Sequence, residues 1–253
     1  MSPVPESVLV EVTVSASADD AWDALRDPAR IAQWFGWDAD TLPGEIAYIF
    51  HDHTQVDAPR RTLTFVGMPD RFEVEDIGDG KAVVRLVRSG SARTQTDWEG
   101  LYDDMIQGWI TFVQQLGFAL DRHRDDRRRT LYLSGLADTL QAARPSAAMG
   151  LDTIRAAAPG SHYAVEAAGE RLSGEVRFVT ALQTGLTVDG WGDGLLVLVD
   201  RPSIDGQPVG GWAVLTTYGL DDDAFDAFQA RWNEWWTTRY PDERPGCMEG
   251  PES

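Results

Sequence analysis

Apolar positions along the chain change period several times, and each change marks an element. Val8, Val10, Val12 and Val14 alternate with other residues over 8–14, the period of a strand with one buried face. Ser17 then stands as a candidate N-cap, with Asp20 three residues on, and opens a helix carrying Trp22. Pro28 starts a second short helix, which delivers Trp34, Phe35 and Trp37 into a loop. Beyond Pro43-Gly44, runs at 45–50, 62–67, 71–77 and 82–88 read as strands. The last two are joined across Asp79-Gly80, a strong hairpin signal. Over 98–120 the period lengthens. Trp98, Leu101, Tyr102, Met105, Ile106, Trp109, Phe112, Val113, Leu116 and Leu120 fall on one helical stripe. A stripe this apolar has to cover a sheet, a cavity or a partner.

The run R-H-R-D-D-R-R-R at 122–129 has no apolar period, and a domain boundary is placed there. Its arginines suit the end of a helix, where they complement the dipole. The second half repeats the order of the first. T-L-Y-L-S-G (130–135) opens it, and helical segments are expected at 137–143 and 146–158. Strands are expected at 163–168, 174–182, 184–189, 195–200 and 211–218, then a helix at 222–238. Superposing Trp109 on Trp232 also pairs Tyr102 with Phe225, Met105 with Phe228 and Phe112 with Trp235. The pattern predicts two tandem domains, 1–125 and 130–240, each closed by a long helix. A Pro-, Gly- and Glu-rich tail at 241–253 is expected to be disordered.

Composition narrows the function classes. At 253 residues the chain has room for two domains that each bury a core. A net charge of −19 opposes nucleic acid and anionic membrane as partners. Lys81 is the only lysine and Cys247 the only cysteine, so an internal disulfide and a thiolate metal site are excluded. No basic-then-apolar leader and no membrane-length apolar run is visible, so a cytoplasmic location is expected. No nucleophile elbow, HExxH, Walker or dinucleotide motif occurs, and no cofactor or metal is expected.

The segment V-x-V-x-A-S-A-D-D-A-W-D-A-L-R-D-P-A-R-I-A-Q-W-F (12–35) resembles the opening of SRPBCC (START-like) proteins. It is most similar to the branch related to the activator of the heat-shock-protein ATPase. The closing D-W-E-G-L-Y-D-D-M-I-Q-G-W-I-T-F-V (97–113), with its Gly108-Trp109 pair, is similar to that family's last helix. The likeness covers about 6–122, and the family's Pro-Gly-Gly element is reduced here to Pro43-Gly44. It implies an α+β helix-grip fold, in which a curved antiparallel sheet wraps a long C-terminal helix around a cavity, here duplicated in tandem. It also implies a choice among three roles: a binder of small hydrophobic ligands, a co-chaperone or protein-interaction module, and a polyketide cyclase or aromatase. Non-catalytic binding of a small hydrophobic ligand is the leading expectation.

Alternation and helix phase nominate Trp34, Phe35, Tyr48, Phe50, Phe65, Phe72, Tyr102, Met105, Trp109 and Phe112 as cavity-facing side chains. Periodicity alone equally allows these to pack on one another as a filled core. Arg85 is either a carboxylate anchor inside the cavity or, if Val84 and Leu86 face inward, a surface residue. His51-Asp52-His53 has metal-like residue types but no third ligand at useful spacing, and reads as surface histidines on a strand's outer face. D-G-W-G-D-G (189–194) reads as a Gly-rich hairpin.

Overall fold

The N-terminal valines form β1, Glu6–Val14, with Val10, Val12 and Val14 buried. A register shift between Val8 and Val10 sets Val8 opposite Val87, whereas Val10 pairs with Leu86 on the inner face. Val8 is therefore exposed, because a bulge moves one residue across the pleat. The computed structural model describes residues 6–89, 99–204 and 206–242, with side chains except at 99–103. The chain divides into two units, Met1–Asp125 and Asp126–Ser253.

In the first unit, α1 (Ala18–Ala24) starts at Ser17, whose hydroxyl accepts from Asp20 N at 3.1 Å and donates to the Asp20 carboxylate at 2.8 Å. Asp27 caps α2 (Pro28–Ile31). Four further strands follow: β2 (Thr54–Asp57), β3 (Thr62–Phe65), β4 (Asp70–Gly78) and β5 (Lys81–Ser89). The antiparallel sheet has the order β1-β5-β4-β3-β2. Asp79 and Gly80 both take positive φ in the β4–β5 turn, the conformation a tight hairpin requires.

The segment expected as a strand at 45–50 is helical instead. It forms α3 (Leu42–Ala47) and a π-helical turn, Tyr48–Asp52. Leu42, Ile46 and Phe50 are buried at a spacing of four, while Tyr48 is exposed. The same residues offer a spacing of two at 46, 48 and 50, and the longer period wins once Leu42 and Pro43 start the helix.

The closing helix of this unit is α4 (Glu99–Arg122). Its far end is tied to the start of β5's neighbourhood: Ser15 N donates to Asp121 at 2.8 Å and Arg124 donates to Ser15 O. Val14, next to Ser15, pairs with Ala82 at the beginning of β5. Thus α4 runs antiparallel to β5, and its N-terminal half stands toward the end of the sheet that holds Arg88.

The second unit begins with β6 (Arg128–Leu136) and continues through β7 (His162–Ala167), β8 (Glu170–Val179), β9 (Gln183–Val188), β10 (Gly194–Arg201) and β11 (Gly210–Tyr218). The antiparallel sheet order is β6-β11-β10-β9-β8-β7. Its closing helix is α6 (Asp222–Thr237), capped by Asp221, whose carboxylate accepts from Ala224 N at 2.9 Å. Phe225, Phe228, Trp232 and Trp236 bury one face of α6 against the sheet.

The helices expected at 137–143 and 146–158 shrink to one turn, α5 (Pro145–Ala148), and a 3-10 turn, Ile154–Ala156. Gly150 at positive φ ends the first, and side chains tie the segment to β10 instead of a helical ladder. Asp200, buried, accepts from Ser146 N at 2.9 Å, from the Ser146 hydroxyl and from Arg155 at 3.1 Å. Of the tail expected to be disordered, Asp242 pairs with Leu136 in both directions, at 2.8 and 3.2 Å. Residues 243–253 lie outside the described residues. Gly135 permits this strap, because a Cβ there would overlap the Tyr240 carbonyl oxygen.

Burial raises the phenol pKa of Tyr163, Tyr218 and Tyr240, that of Tyr218 from 10.0 to about 12. The unfolded chain then loses these protons first, so the stability they represent is whole below pH 10.0 and lost as pH climbs toward about 12. Alkaline titration is expected to give phenolate absorbance and loss of near-ultraviolet dichroism in one cooperative step. Tyr218→Phe should move that step to higher pH. A midpoint unchanged by the substitution would contradict the assignment.

Candidate ligand site in the first unit

Trp109, from the middle of α4, is the hub of the first unit's interior. Its ring centroid lies 5.3 Å from Phe65, 5.7 Å from Phe72, 5.9 Å from Phe35, 6.2 Å from Phe112 and 6.3 Å from Phe50. Trp34 closes the cluster, 5.6 Å from Phe50 and 6.1 Å from Phe72, both edge to face. Such contacts satisfy ring quadrupoles as well as burying area. Trp34 is pinned by its own polar groups: its indole N–H donates to Ala24 O at 2.8 Å, and Gln115 donates to its carbonyl at 3.0 Å. Phe112 and Trp37, 6.4 Å apart, are the half-buried members of the cluster among the described residues. Among the described residues, these rings pack between the sheet and α4. Beside them, a void of about 20 Å³ beneath Trp34, Leu116 and His123 has room for one water.

Three of the nominated side chains stand elsewhere. Tyr48 is 53% exposed, with its ring 3.9 Å from that of His53, because the π-helical turn swings it outward. Met105 is 36% exposed at the rim of α4. Arg85 lies on the outer face between Glu11 and Glu75, ion-paired to both, while Val84 and Leu86 face inward. It is not an interior anchor. The side chain of Tyr102 lies outside the described residues. His51 and His53 flank the end of the π-helical turn, not a strand face, and His53 Nδ1 lies 3.0 Å from Tyr48 O. Among the described residues, no group of three or more His, Cys, Asp and Glu side chains is placed to hold a metal. No described helix is long and apolar enough to cross a membrane.

The interior does contain a guanidinium, three residues further along β5. Arg88 donates to both carboxylate oxygens of Asp70, each at 2.6 Å, and the two side chains are 9% and 1% exposed. They form a cross-strand pair, two residues beyond the Phe72–Leu86 pair on the same face. Parity along β5 carried the signal: if Val84 and Leu86 point inward, so does Arg88. This ion pair sits at the sheet end toward which the N-terminal half of α4 stands. The site therefore joins an aromatic wall to one buried, bidentate charge pair.

The second unit repeats the aromatic wall. Trp191, in the Gly-rich turn between β9 and β10, lies 5.1 Å from Phe228 and 5.6 Å from Trp232. The turn expected as a plain hairpin is thus a core element, and Gly192 is needed there because a Cβ would overlap the Tyr218 carbonyl. Glu170 accepts from the indole N–H groups of Trp232, at 2.7 Å, and Trp191, at 3.4 Å.

No protein-family model matches the sequence, and no curated protein matches it. Among solved structures the chain is similar to DynU16, a protein of the dynemicin biosynthetic locus, with 16% identity and a TM-score of 0.29 over 93% of this chain and 96% of that one. It is also similar to the di-domain ARO/CYC BexL from the BE-7585A biosynthetic pathway, at 10% identity and TM-score 0.36, covering 95% and 100% of the two chains. A third is the di-domain ARO/CYC StfQ from the steffimycin biosynthetic pathway, at 12% identity and TM-score 0.32, covering 90% of each. The chain is an α+β protein of two helix-grip units, each an antiparallel sheet closed on its own C-terminal helix.

Proposed function

We propose that the first unit binds a small hydrophobic molecule that carries an oxygen acceptor, at the Asp70–Arg88 end of its helix grip. The observation behind this reading is the buried guanidinium of Arg88 on the inner face beside Phe72 and Leu86. Rings supply an apolar surface for the body of the ligand, and one oriented charged donor fixes its direction. Asp70 holds the guanidinium flat, so a carbonyl or phenolate oxygen meets a preorganised group. Native mass spectrometry of freshly purified protein should retain small molecules, and an environment-sensitive hydrophobic dye should be displaced by hydroxylated naphthalenes. Replacing the pair together, as Asp70→Leu with Arg88→Met, should preserve dye binding but remove the preference for oxygenated over plain hydrocarbon competitors. Protein that retains nothing and binds no dye would refute the reading.

A polyketide cyclase or aromatase-like activity is the second reading, and the same pair favours it. Two charged side chains meet beside a wall of aromatic rings, and a fixed guanidinium stabilises the negative charge of an enolate as it develops. Turnover of a short poly-β-ketone to an aromatic product, abolished in the double variant, is its test. The co-chaperone alternative draws on the acidic surface, and stimulation of a chaperone ATPase by the purified chain is the measurement for it.

A further inference from the structure

In the second unit, the C-terminal half of α6 and the β7–β8 turn border an open groove of about 270 Å³, lined by Ala168, Arg231, Glu234, Trp235, Thr238 and Arg239. That is close to the lower end of small-molecule sites, roughly 300–1,000 Å³. Arg231 and Trp235 share one side of α6, and Arg239 follows in the turn just past its end. The two arginines are held differently. Arg231 is committed to Glu170 at 3.0 Å, and Glu170 is itself fixed by the two indole N–H groups. Arg239 lies 4.3 Å over the Trp235 ring and gives a hydrogen bond to the Trp235 carbonyl at 2.9 Å. Among the described residues it forms no ion pair with a carboxylate. A guanidinium stacked on an indole keeps its in-plane N–H donors for a planar acceptor, and the stacking reduces the entropy lost on binding one.

We infer that this groove binds a small planar monocarboxylate. The carboxylate meets Arg239, the apolar body lies against Trp235 and the Ala168 methyl, and Glu234 disfavours a second negative charge. The site is independent of the first unit's grip. Because Arg239 is exposed and the chain carries −19 overall, attraction is local and modest, with a dissociation constant on the order of 0.1–1 mM.

The test titrates the full chain with naphthalene-1-carboxylate and with the neutral naphthalene-1-carboxamide, followed by calorimetry or ligand-observed NMR. The carboxylate should bind about five- to tenfold more tightly than the amide, and Arg239→Gln should erase that difference. Thermal unfolding of Arg239→Gln should match the parent, since the side chain is exposed. The Asp70→Leu/Arg88→Met variant should keep the preference in full. Equal affinity for the two probes, or a preference that survives Arg239→Gln, overturns the proposal. A preference lost in the double variant instead also overturns it, by moving the carboxylate site to the first unit.

Discussion

Asp70→Ala alone should destabilise the first unit by about 3–5 kcal/mol, because it takes a bidentate carboxylate away from the buried Arg88 guanidinium. The bidentate geometry and 1% exposure of Asp70 mean that water cannot take the carboxylate's place without opening the sheet end. The informative comparison is Asp70→Leu with Arg88→Met. Taking both charges away and refilling the volume with apolar atoms is expected to bring stability back to within about 1–2 kcal/mol of the parent, or above it. Arg85→Ala serves as the control on the same strand. Its ion pairs are partly exposed, so the expected loss is below about 1 kcal/mol. Urea unfolding followed by far-ultraviolet dichroism measures all three, with the two units fitted as separate transitions. A neutral Asp70→Ala, or a double variant as unstable as the single, would show that the pair is not buried as described. If the double variant is stable, retention of the costly pair in this sequence points to a task other than stability.

Trp109→Ala is the second large effect expected, about 3–5 kcal/mol. The indole touches Phe35, Phe50, Phe65, Phe72 and Phe112 at once, and these rings come from different elements that cannot all close the gap. The variant should therefore contain a dry, ring-lined cavity. Indole added in excess should bind it and recover part of the lost stability, visible as a concentration-dependent rise in Tm. The rise should be larger in the variant than in the parent protein, which lacks the extra cavity. Were Trp109 only one wall of a cavity, truncation would cost less and the rise in Tm with indole would be no larger in the variant than in the parent. The experiment thus separates a filled interior from a lined cavity without any knowledge of the ligand.

Much of the architecture was legible in residue spacing, and the misses have specific causes. Strands read at 62–67, 71–77 and 82–88 appear as β3, β4 and β5, and the stripe at 98–120 as α4. Segment 45–50 went wrong because Ile46, Tyr48 and Phe50 satisfy a strand while Leu42, Ile46 and Phe50 satisfy a helix. Val8 fitted the alternation of β1, yet a bulge is a property of the pairing with β5, not of β1 itself. The expected helix at 146–158 is broken up because Ser146 and Arg155 bond to Asp200, more than forty residues away along the chain. At the site, the ring cluster came from apolar phase, but Arg85 was weighed where Arg88 belonged.

By itself the sequence determined where most apolar faces lie, that each half closes with a long apolar-striped helix, and that the pattern occurs twice. These are local properties, set by side-chain spacing along one segment, and a single strand or helix expresses them alone. Tertiary structure decided the rest: that Asp70 meets Arg88 across β4 and β5, that Glu170 accepts from two tryptophans, and that Trp109 sits among five phenylalanine rings. Pairing partners depend on register between strands, and free volume depends on several elements packing simultaneously. Periodicity reports that a face must be covered; only the assembled unit shows what covers it.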